Sequence, residues 1–152
     1  MSTNRETATA FVQGRTAYAG HLSATVWGLY SYSTKIANHT TTKRGQDVIL
    51  LTVRDYSATT IRHKSHTRTA AYREGCYMFE VPNIEAHTES DHRGNYQYLR
   101  EEAEAAREAI ARTRKESTRE RAEKVWQRAH NTANKYYNLF VLPYDTERAN
   151  QE

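Results

Sequence analysis

The stretch that most constrains this chain is Tyr56–Gly75, which reads as a basic helix between two strand-like segments. Ser57 is a preferred N-cap residue type, because its hydroxyl can accept a hydrogen bond from the first free amides of a helix. Gly75 tolerates the left-handed conformation that ends many helices. These signals predict a helix over 58–73, with β structure before it and one strand after it.

Short segments of strand-like composition surround this helix. They alternate in polarity or are rich in β-branched residues, as half-buried and buried strands are. The sequence therefore predicts an α+β fold in which residues 1–82 form a β-rich subdomain: a small antiparallel sheet of three to five strands with one packed helix. The residues before position 8 are expected to be frayed. The predicted strands are Ala8–Gln13, Ser23–Trp27, Leu29–Ala37, Asp47–Val53 and Cys76–Val81.

After Pro82 the composition changes to Ala, Glu and Arg, which is typical of helices. One apolar stripe runs from Tyr96 to Ile110, and extrapolating it at 3.6 residues per turn misses the next apolar set by roughly 150°. An antiparallel hairpin of two helices, near 90–115 and 118–140, is therefore favoured over one long helix. The hairpin is expected to pack with residues 1–82 as one domain, and 143–152 to be a disordered tail.

The aliphatic core is thinly supplied, because Leu, Ile, Val and Phe together number 22 of 152 residues. The 11 tyrosines can provide the missing apolar area if their hydroxyls find partners. An oligomer interface is the alternative. The aromatic residues near the end of the chain suggest a homodimer through the C-terminal helices, and they are Tyr136, Tyr137, Phe140 and Tyr144.

Composition also restricts the function classes. The single cysteine, Cys76, allows no intramolecular disulfide, which fits a reducing compartment. No apolar run approaches the roughly 18 residues of a membrane span, and the N-terminus lacks the apolar core of a secretion signal. A soluble cytoplasmic protein with no membrane partner is expected. The net charge of +4 and the pI near 9.2 permit nucleic-acid binding without requiring it.

Four segments in order resemble a family of small uncharacterised proteins encoded by bacteriophages and mobile elements, largely of actinobacteria. They are LYSYSTKIA (29–37), VILLTVRDYSATTIRH (48–63), YMFEVP (77–82) and ANKYYNLFVL (133–142). The resemblance implies a small domain of unknown function that serves as a phage accessory protein in the cytoplasm of a bacterial host. It carries over no catalytic residues. The chain departs from the pattern at Ser33-Thr34-Lys35, where a turn of Gly-Thr-Pro type is expected.

The basic helix is the first candidate surface. A helical wheel predicts that Ala58, Ile61, Ser65, Thr69 and Tyr72 are buried and that Thr60, His63 and Thr67 face outward. Basic flanks then bind phosphates while the outward residues meet base edges. The alternative is that the basic side chains lie along the rim of the buried stripe and keep their charges in water. The candidate binding residues are Arg62, His63, Lys64, Thr67, Arg68 and Arg73.

The last helix is the second candidate surface, because a row of cations on one helix face suits a phosphate backbone or an acidic partner. The row consists of Arg121, Lys124, Arg128 and Lys135. The alternative is pairing with the acidic helix before it, through Glu101, Glu102, Glu104 and Glu108.

Other chemistry is weakly indicated. An aromatic stacking platform for single-stranded nucleic acid is one alternative to burial for Tyr30, Tyr32, Tyr77 and Phe79. No spacing of His63, His66, His21, His39 and Cys76 matches a zinc pattern, so no metal is predicted. No cofactor motif is present either. Catalysis needs a nucleophile with an oriented base, and the sequence shows no such motif.

The leading hypothesis is a non-enzymatic bacteriophage accessory protein that binds a macromolecule, with nucleic acid favoured. The first alternative is a binder or inhibitor of a host bacterial protein. The second is a small metal-independent ribonuclease that uses His63 or His66 with an Arg and a Tyr.

Overall fold

A computed structural model describes residues 1–151, which form an α+β fold divided into two compact units. The first unit, Met1–Glu85, contains an N-terminal helix, a six-stranded sheet and a second helix. The second unit begins at Ala86 and is helical. The predicted α+β class is confirmed, and so is the C-terminal helical hairpin.

The elements of the first unit are α1 Asn4–Val12, β1 Ala17–Ala19, β2 Leu22–Thr25, β3 Gly28–Ser31, β4 Thr34–Thr41, β5 Asp47–Thr52, α2 Ala58–Arg73 and β6 Tyr77–Val81. The sheet has six strands in the order β1-β2-β3-β4-β5-β6, so the prediction of three to five was wrong. It was also wrong in direction, because β5 and β6 are parallel while the other neighbours are antiparallel. The parallel pair follows from α2, since a crossover helix returns the chain to the end where the previous strand began.

The first element is a helix, whereas the sequence predicted a frayed terminus and a strand over Ala8–Gln13. Thr3 caps this helix, because its hydroxyl accepts a hydrogen bond from the amide of Glu6 at 3.1 Å. Phe11 and Val12 are buried one turn after Ala8, which is helical spacing. A Thr followed three residues later by Glu is a helix-start pattern. The sequence therefore contained a helix-start signal at Thr3 and Glu6, and the strand prediction over Ala8–Gln13 overlooked it.

The predicted strand Leu29–Ala37 is in fact two strands, β3 and β4, joined by a tight turn at Tyr32 and Ser33. Tyr32 has φ 58°, a left-handed conformation that most residues avoid. Its amide donates to the carbonyl of His21 at 2.6 Å, and its ring stacks on His21 with centroids 4.3 Å apart. The turn has no Gly, Asn or Pro, and its one common turn residue is Ser33. The family resemblance places a turn at Ser33-Thr34-Lys35, but the strand prediction over Leu29–Ala37 ran through it.

The core of the first unit contains side chains from α1, α2 and strands β2 to β5. Tyrosines were expected to provide much of its apolar area. Four tyrosines of this unit are instead more than half exposed: Tyr18, Tyr32, Tyr56 and Tyr72. Aliphatic residues fill the core together with alanines, and each fully buried Leu or Ile stabilises the fold by about 1.5–3 kcal/mol. The buried cluster is Ala8, Phe11, Val12, Leu22, Ala24, Leu29, Ile36, Ala37, Ile49, Leu51, Ala70 and Ala71.

Both predicted boundaries of α2 are confirmed. The Ser57 hydroxyl accepts a hydrogen bond from the amide of Thr60 at 3.2 Å. Gly75 has φ 67°, and its amide donates to the carbonyl of Tyr72 at 3.2 Å. The amide of Cys76 donates to the carbonyl of Ala71 at 2.9 Å, which completes a Schellman end.

The second unit contains α3 Glu89–Ala111, α4 Glu116–Tyr136, a π-helical segment Tyr137–Val141 and α5 Leu142–Gln151. Two helices, and not one, form the hairpin. The predicted start of the second helix near 118 was slightly late, because α4 begins at Glu116. Its N-cap is Lys115, which makes no side-chain cap bond. Thr88 and Asp91 form a full capping box at the start of α3.

Tyr136 is the largest fully buried side chain of the chain's described part. Its hydroxyl accepts a hydrogen bond from Asn95 Nδ2 at 3.0 Å and lies 2.9 Å from His92 Nδ1. Burial raises the pKa of Tyr136 and lowers the pKa of His92. Phe140 is also buried and stacks on His92 with centroids 4.4 Å apart. Two of the four aromatics that suggested a homodimer are therefore interior residues, and the homodimer itself stays a prediction.

Helix α5 lies where the sequence predicted a disordered tail. Ionic contacts join it to the start of α3: Arg93 bonds both Glu89 and Asp145, at 2.7 and 2.5 Å. Arg148 bonds Glu89 at 2.5 Å. In the π-helical segment the amide of Leu142 donates to the carbonyl of Tyr137, five residues back. The polar composition of 143–152 suggested disorder, because the sequence alone does not show that Asp145 and Arg148 form ion pairs with residues far away in the chain.

Candidate nucleic-acid interface

Helix α2 presents the opposite face to the one predicted. Thr60, His63 and Thr67 were expected to face outward, but they are 3%, 1% and 0% exposed. Ile61 and Tyr72 were expected to be buried, but they are 47% and 88% exposed. The helical-wheel prediction assumed that the apolar residues of α2 face the sheet. The surface on which α2 packs includes a polar residue, and polar side chains of α2 hydrogen-bond to it.

That polar residue is Ser31 on β3, which is itself buried. Its hydroxyl lies 2.8 Å from His63 Nδ1 and 3.0 Å from the hydroxyl of Thr60. The hydroxyl of Thr67 donates to the carbonyl of His63 at 2.8 Å. Burial lowers the pKa of His63, and repulsion from His66 adds to the effect. His63 and Thr67 therefore do not face solvent as the predicted binding surface required.

Lys64 and Arg68 also point into the first unit's own structure. Lys64 is 1% exposed, and its Nζ lies 2.9 Å from Asp55 Oδ1 and 3.7 Å from Glu80 Oε2. Arg68 donates to the same Glu80 carboxylate. A buried ammonium needs such partners because an unpaired charge is costly to remove from water. The alternative in which the basic side chains keep their charges in water along the rim is therefore wrong for Lys64.

The remaining two basic residues of α2, Arg62 and Arg73, are exposed. Within residues 1–151 no acidic side chain pairs with either of them. Of the six candidate residues on α2, these two retain a charge that faces solvent and has no acidic partner in the part of the chain that the structure describes.

The cation row on α4 has a different outcome. All four of its residues, Arg121, Lys124, Arg128 and Lys135, are exposed. They share one face within about 60°, and from first to last they span about 21 Å of helix axis. In the described part of the chain, Arg121, Lys124 and Arg128 form no ion pair or side-chain hydrogen bond.

The acidic helix α3 does not neutralise this row. Glu101 accepts a hydrogen bond from Gln97, its neighbour on the same helix. Glu102, Glu104 and Glu108 are exposed, and over residues 1–151 none of them pairs with a cation of α4. The alternative in which α3 pairs with Arg121, Lys124 and Arg128 is therefore not observed.

The predicted aromatic platform is not assembled. Tyr30 and Tyr32 belong to β3 and its turn, while Tyr77 and Phe79 belong to β6. Two strands separate β3 from β6, so the two pairs are about 14 Å apart across the sheet. Phe79 is also 4% exposed. Bases cannot stack continuously on residues so placed.

The histidines do not form a metal-binding group. His39 lies 3.0 Å from Asp47 Oδ2 and 2.6 Å from the carbonyl of Phe11. Among residues 1–151 no three His, Cys, Asp or Glu side chains are grouped so that they can hold a metal ion. His63, one of the two histidines in the ribonuclease hypothesis, is enclosed between β3 and α2.

An exposed apolar turn between β2 and β3 was not predicted from the sequence. Val26 and Trp27 are 82% and 74% exposed there. Gly28 follows with φ 145°, and a Cβ at this position would lie 2.4 Å from Lys35 Cε. Gly28 was a usable turn signal, but the strand predicted over Ser23–Trp27 included Val26 and Trp27, which belong to the turn.

Comparison with protein-family models, with curated proteins and with solved structures finds no match to this chain. No helix within residues 1–151 combines the length and the apolar character needed to cross a membrane.

Proposed function

We propose that this protein binds nucleic acid without an enzymatic activity of its own, and that α4 provides the main phosphate contacts. The observation that carries the proposal is that Arg121, Lys124 and Arg128 are exposed on one helix face and that their side chains pair with no group among the described residues 1–151. Such cations gain free energy from a polyanion because its condensed counterions are released on binding. Lys135 extends the same row.

The dimensions of the row favour a nucleic-acid backbone as the partner. Its length of about 21 Å corresponds to about six base-pair steps at 3.4 Å each. Four phosphate contacts predict that the logarithm of the binding constant falls with the logarithm of salt concentration with a slope of about −3.6. The contacts are to phosphates, so little dependence on base sequence is expected.

The test is fluorescence anisotropy with a labelled DNA duplex, titrated at salt concentrations from about 50 to about 200 mM. The variant replaces Arg121, Lys124 and Arg128 by Gln. The control replaces Lys43, Arg44 and Arg54 by Gln, which changes the net charge equally on exposed residues of the first unit.

The α4 variant should lose about 2.7 from the slope and at least tenfold in affinity at low salt. The control should keep most of both. Absence of wild-type binding at low salt would refute the proposal, and so would equal binding by the α4 variant and the wild type. The bacteriophage origin implied by the resemblance stays a prediction.

A second candidate function, binding of a protein partner, is favoured by the Val26–Trp27 turn. A Trp that is 74% exposed leaves a large apolar side chain in water, and Trp is enriched among residues that dominate interfaces. The test is capture from nuclease-treated bacterial lysate by the wild type and by Trp27→Ser. A single stoichiometric partner that Trp27→Ser loses would support this function. Identical capture by both proteins would exclude this turn as the site.

A further inference from the structure

A small basic cleft lies between α1 and α2 in the first unit. Its volume is about 190 Å³, below the roughly 300–1,000 Å³ of pockets for drug-sized ligands. It is therefore of a size for a small group. The lining consists of Arg5, Thr9, His66, Thr69, Ala70 and Arg73.

Helical spacing places these side chains together. His66, Thr69 and Arg73 are separated by three and four residues, so they share one face of α2. Arg5 and Thr9 share one face of α1 for the same reason. Ala70 is buried at 4% exposure and forms part of the cleft wall without a polar group.

Among the donor side chains of the cleft, those of Arg5, Arg73 and Thr69 have no partner in the described residues 1–151, whereas that of Thr9 has one. Within residues 1–151 neither Arg5 nor Arg73 has an acidic partner, and no hydrogen bond uses the hydroxyl of Thr69. The hydroxyl of Thr9 donates to the carbonyl of Arg5 at 3.0 Å, so it is already occupied as a donor.

Acidic groups lie in the neighbouring space and not in the cleft lining. Glu6 and Glu74 line a wider adjacent cleft of about 620 Å³, which shares Arg5 and Arg73 with the small one. Glu74 accepts a hydrogen bond from Gln13 Nε2 at 3.0 Å, which holds its carboxylate. No carboxylate is among the side chains that line the small cleft.

We propose that this cleft binds a terminal phosphate group, either as inorganic phosphate or as a phosphate monoester. Two guanidinium groups offer paired N–H donors that match the oxygens of a phosphate, and such charge-assisted bonds are the strong ones. His66 and Thr69 provide further donors at the same opening. The site is independent of the proposed phosphate contacts on α4, because it uses other residues in the other unit.

The test is isothermal titration calorimetry at fixed salt with two ligands, inorganic phosphate and a nucleoside 5′-monophosphate. The proteins are the wild type, Arg5→Gln with Arg73→Gln, and Arg62→Gln as control. Arg62 is an exposed arginine of α2 that does not line the cleft. Thermal unfolding of each variant confirms that it is folded.

The double variant should bind either ligand at least a hundredfold more weakly, because each lost charge-assisted bond is expected to cost about tenfold or more. Arg62→Gln should bind nearly as the wild type does. Arg73→Lys keeps the charge and should still lose about tenfold, since Lys lacks the planar fork. If the double variant does not fold, Arg73→Lys alone decides the question.

Tighter binding of the nucleotide would identify an ester as the source, and equal binding would identify free phosphate. Both outcomes support the site. Failure of the wild type to bind either ligand would overturn it, as would unchanged binding by the double variant and by Arg73→Lys. The α4 triple variant should bind phosphate normally, so failure of this proposal and failure of the nucleic-acid proposal are distinguishable.

Discussion

Helices α2 and α4 have similarly basic sequences, but the structure uses their cations differently. On α2, Lys64 and Arg68 are tied to Glu80, and Lys64 also bonds Asp55. On α4, Arg121 and Arg128 have no partner within residues 1–151. Whether a helix cation is paired depends on whether a carboxylate of the packed neighbour lies within reach of it, and the local sequence does not reveal that position.

The difference arises from what each helix packs against. Strand β6 places Glu80 beside α2, so Lys64 and Arg68 form ion pairs with it within the first unit. The partner of α4 is α3, whose acids Glu104 and Glu108 stay exposed and unpaired with it. Interior cations should therefore affect stability, while exposed cations should affect binding.

The largest expected effect comes from Lys64→Met. It removes the ammonium that lies within 3.7 Å of Glu80 and 2.9 Å of Asp55, and the free energy of unfolding should fall by about 2–3 kcal/mol. Chemical denaturation followed by circular dichroism measures this. The matched substitution on α4, Lys124→Met, should change stability by less than about 0.5 kcal/mol. Equal stability of the two variants would contradict the distinction between interior and exposed cations.

The second effect concerns pH and His63, whose folded-state pKa is lowered by burial. An unfolded histidine takes up its proton near pH 6.5, whereas the folded one does so only at lower pH. Between these values the unfolded state binds more protons, so the free energy of unfolding should fall as pH decreases below about 6.5, by up to about 1.4 kcal/mol per pH unit.

His63→Asn removes this titrating group while keeping a polar atom for Ser31. Its free energy of unfolding should depend less steeply on pH between about 6.5 and 5 than that of the wild type. His92 is buried too and should cause a second, separate part of the same dependence. Parallel curves for His63→Asn and the wild type would show that His63 does not titrate as described.

The smallest effect compares the two helix starts. Ser57→Ala removes the cap bond to the amide of Thr60 and should destabilise the protein by about 1 kcal/mol. Lys115, the N-cap of α4, makes no side-chain cap bond, so Lys115→Ala should be nearly neutral. Lys115→Ser should stabilise by about 0.5–1 kcal/mol. Thermal unfolding measures the stability of all three variants. An unchanged stability of Ser57→Ala would show that the Ser57 cap bond does not stabilise the protein.

Features with local causes could be predicted from the sequence. The ends of α2 at Ser57 and Gly75, the strand beginning at Asp47 and the break between α3 and α4 all follow from residues close in the chain. The parallel direction of β6 could also have been predicted, because a helix between two adjacent strands implies it.

Features with distant causes could not be predicted in this way. The face that α2 buries depends on Ser31, some thirty residues earlier, and on Glu80 after it. The order of α5 depends on Glu89 and Arg93. The cation row on α4 was found from spacing alone, but its lack of partners required knowing where the acids of α3 lie.

The π-helical segment Tyr137–Val141 makes chain length critical near the C-terminus. A π turn holds about one residue more than an α turn, so everything after it is rotated by about 100°. That rotation brings Asp145 to Arg93 and Arg148 to Glu89. Removing one residue from this segment would restore α-helical geometry and rotate Asp145 and Arg148 away from their partners. Evolution can thus exchange residues in this turn more easily than it can delete one.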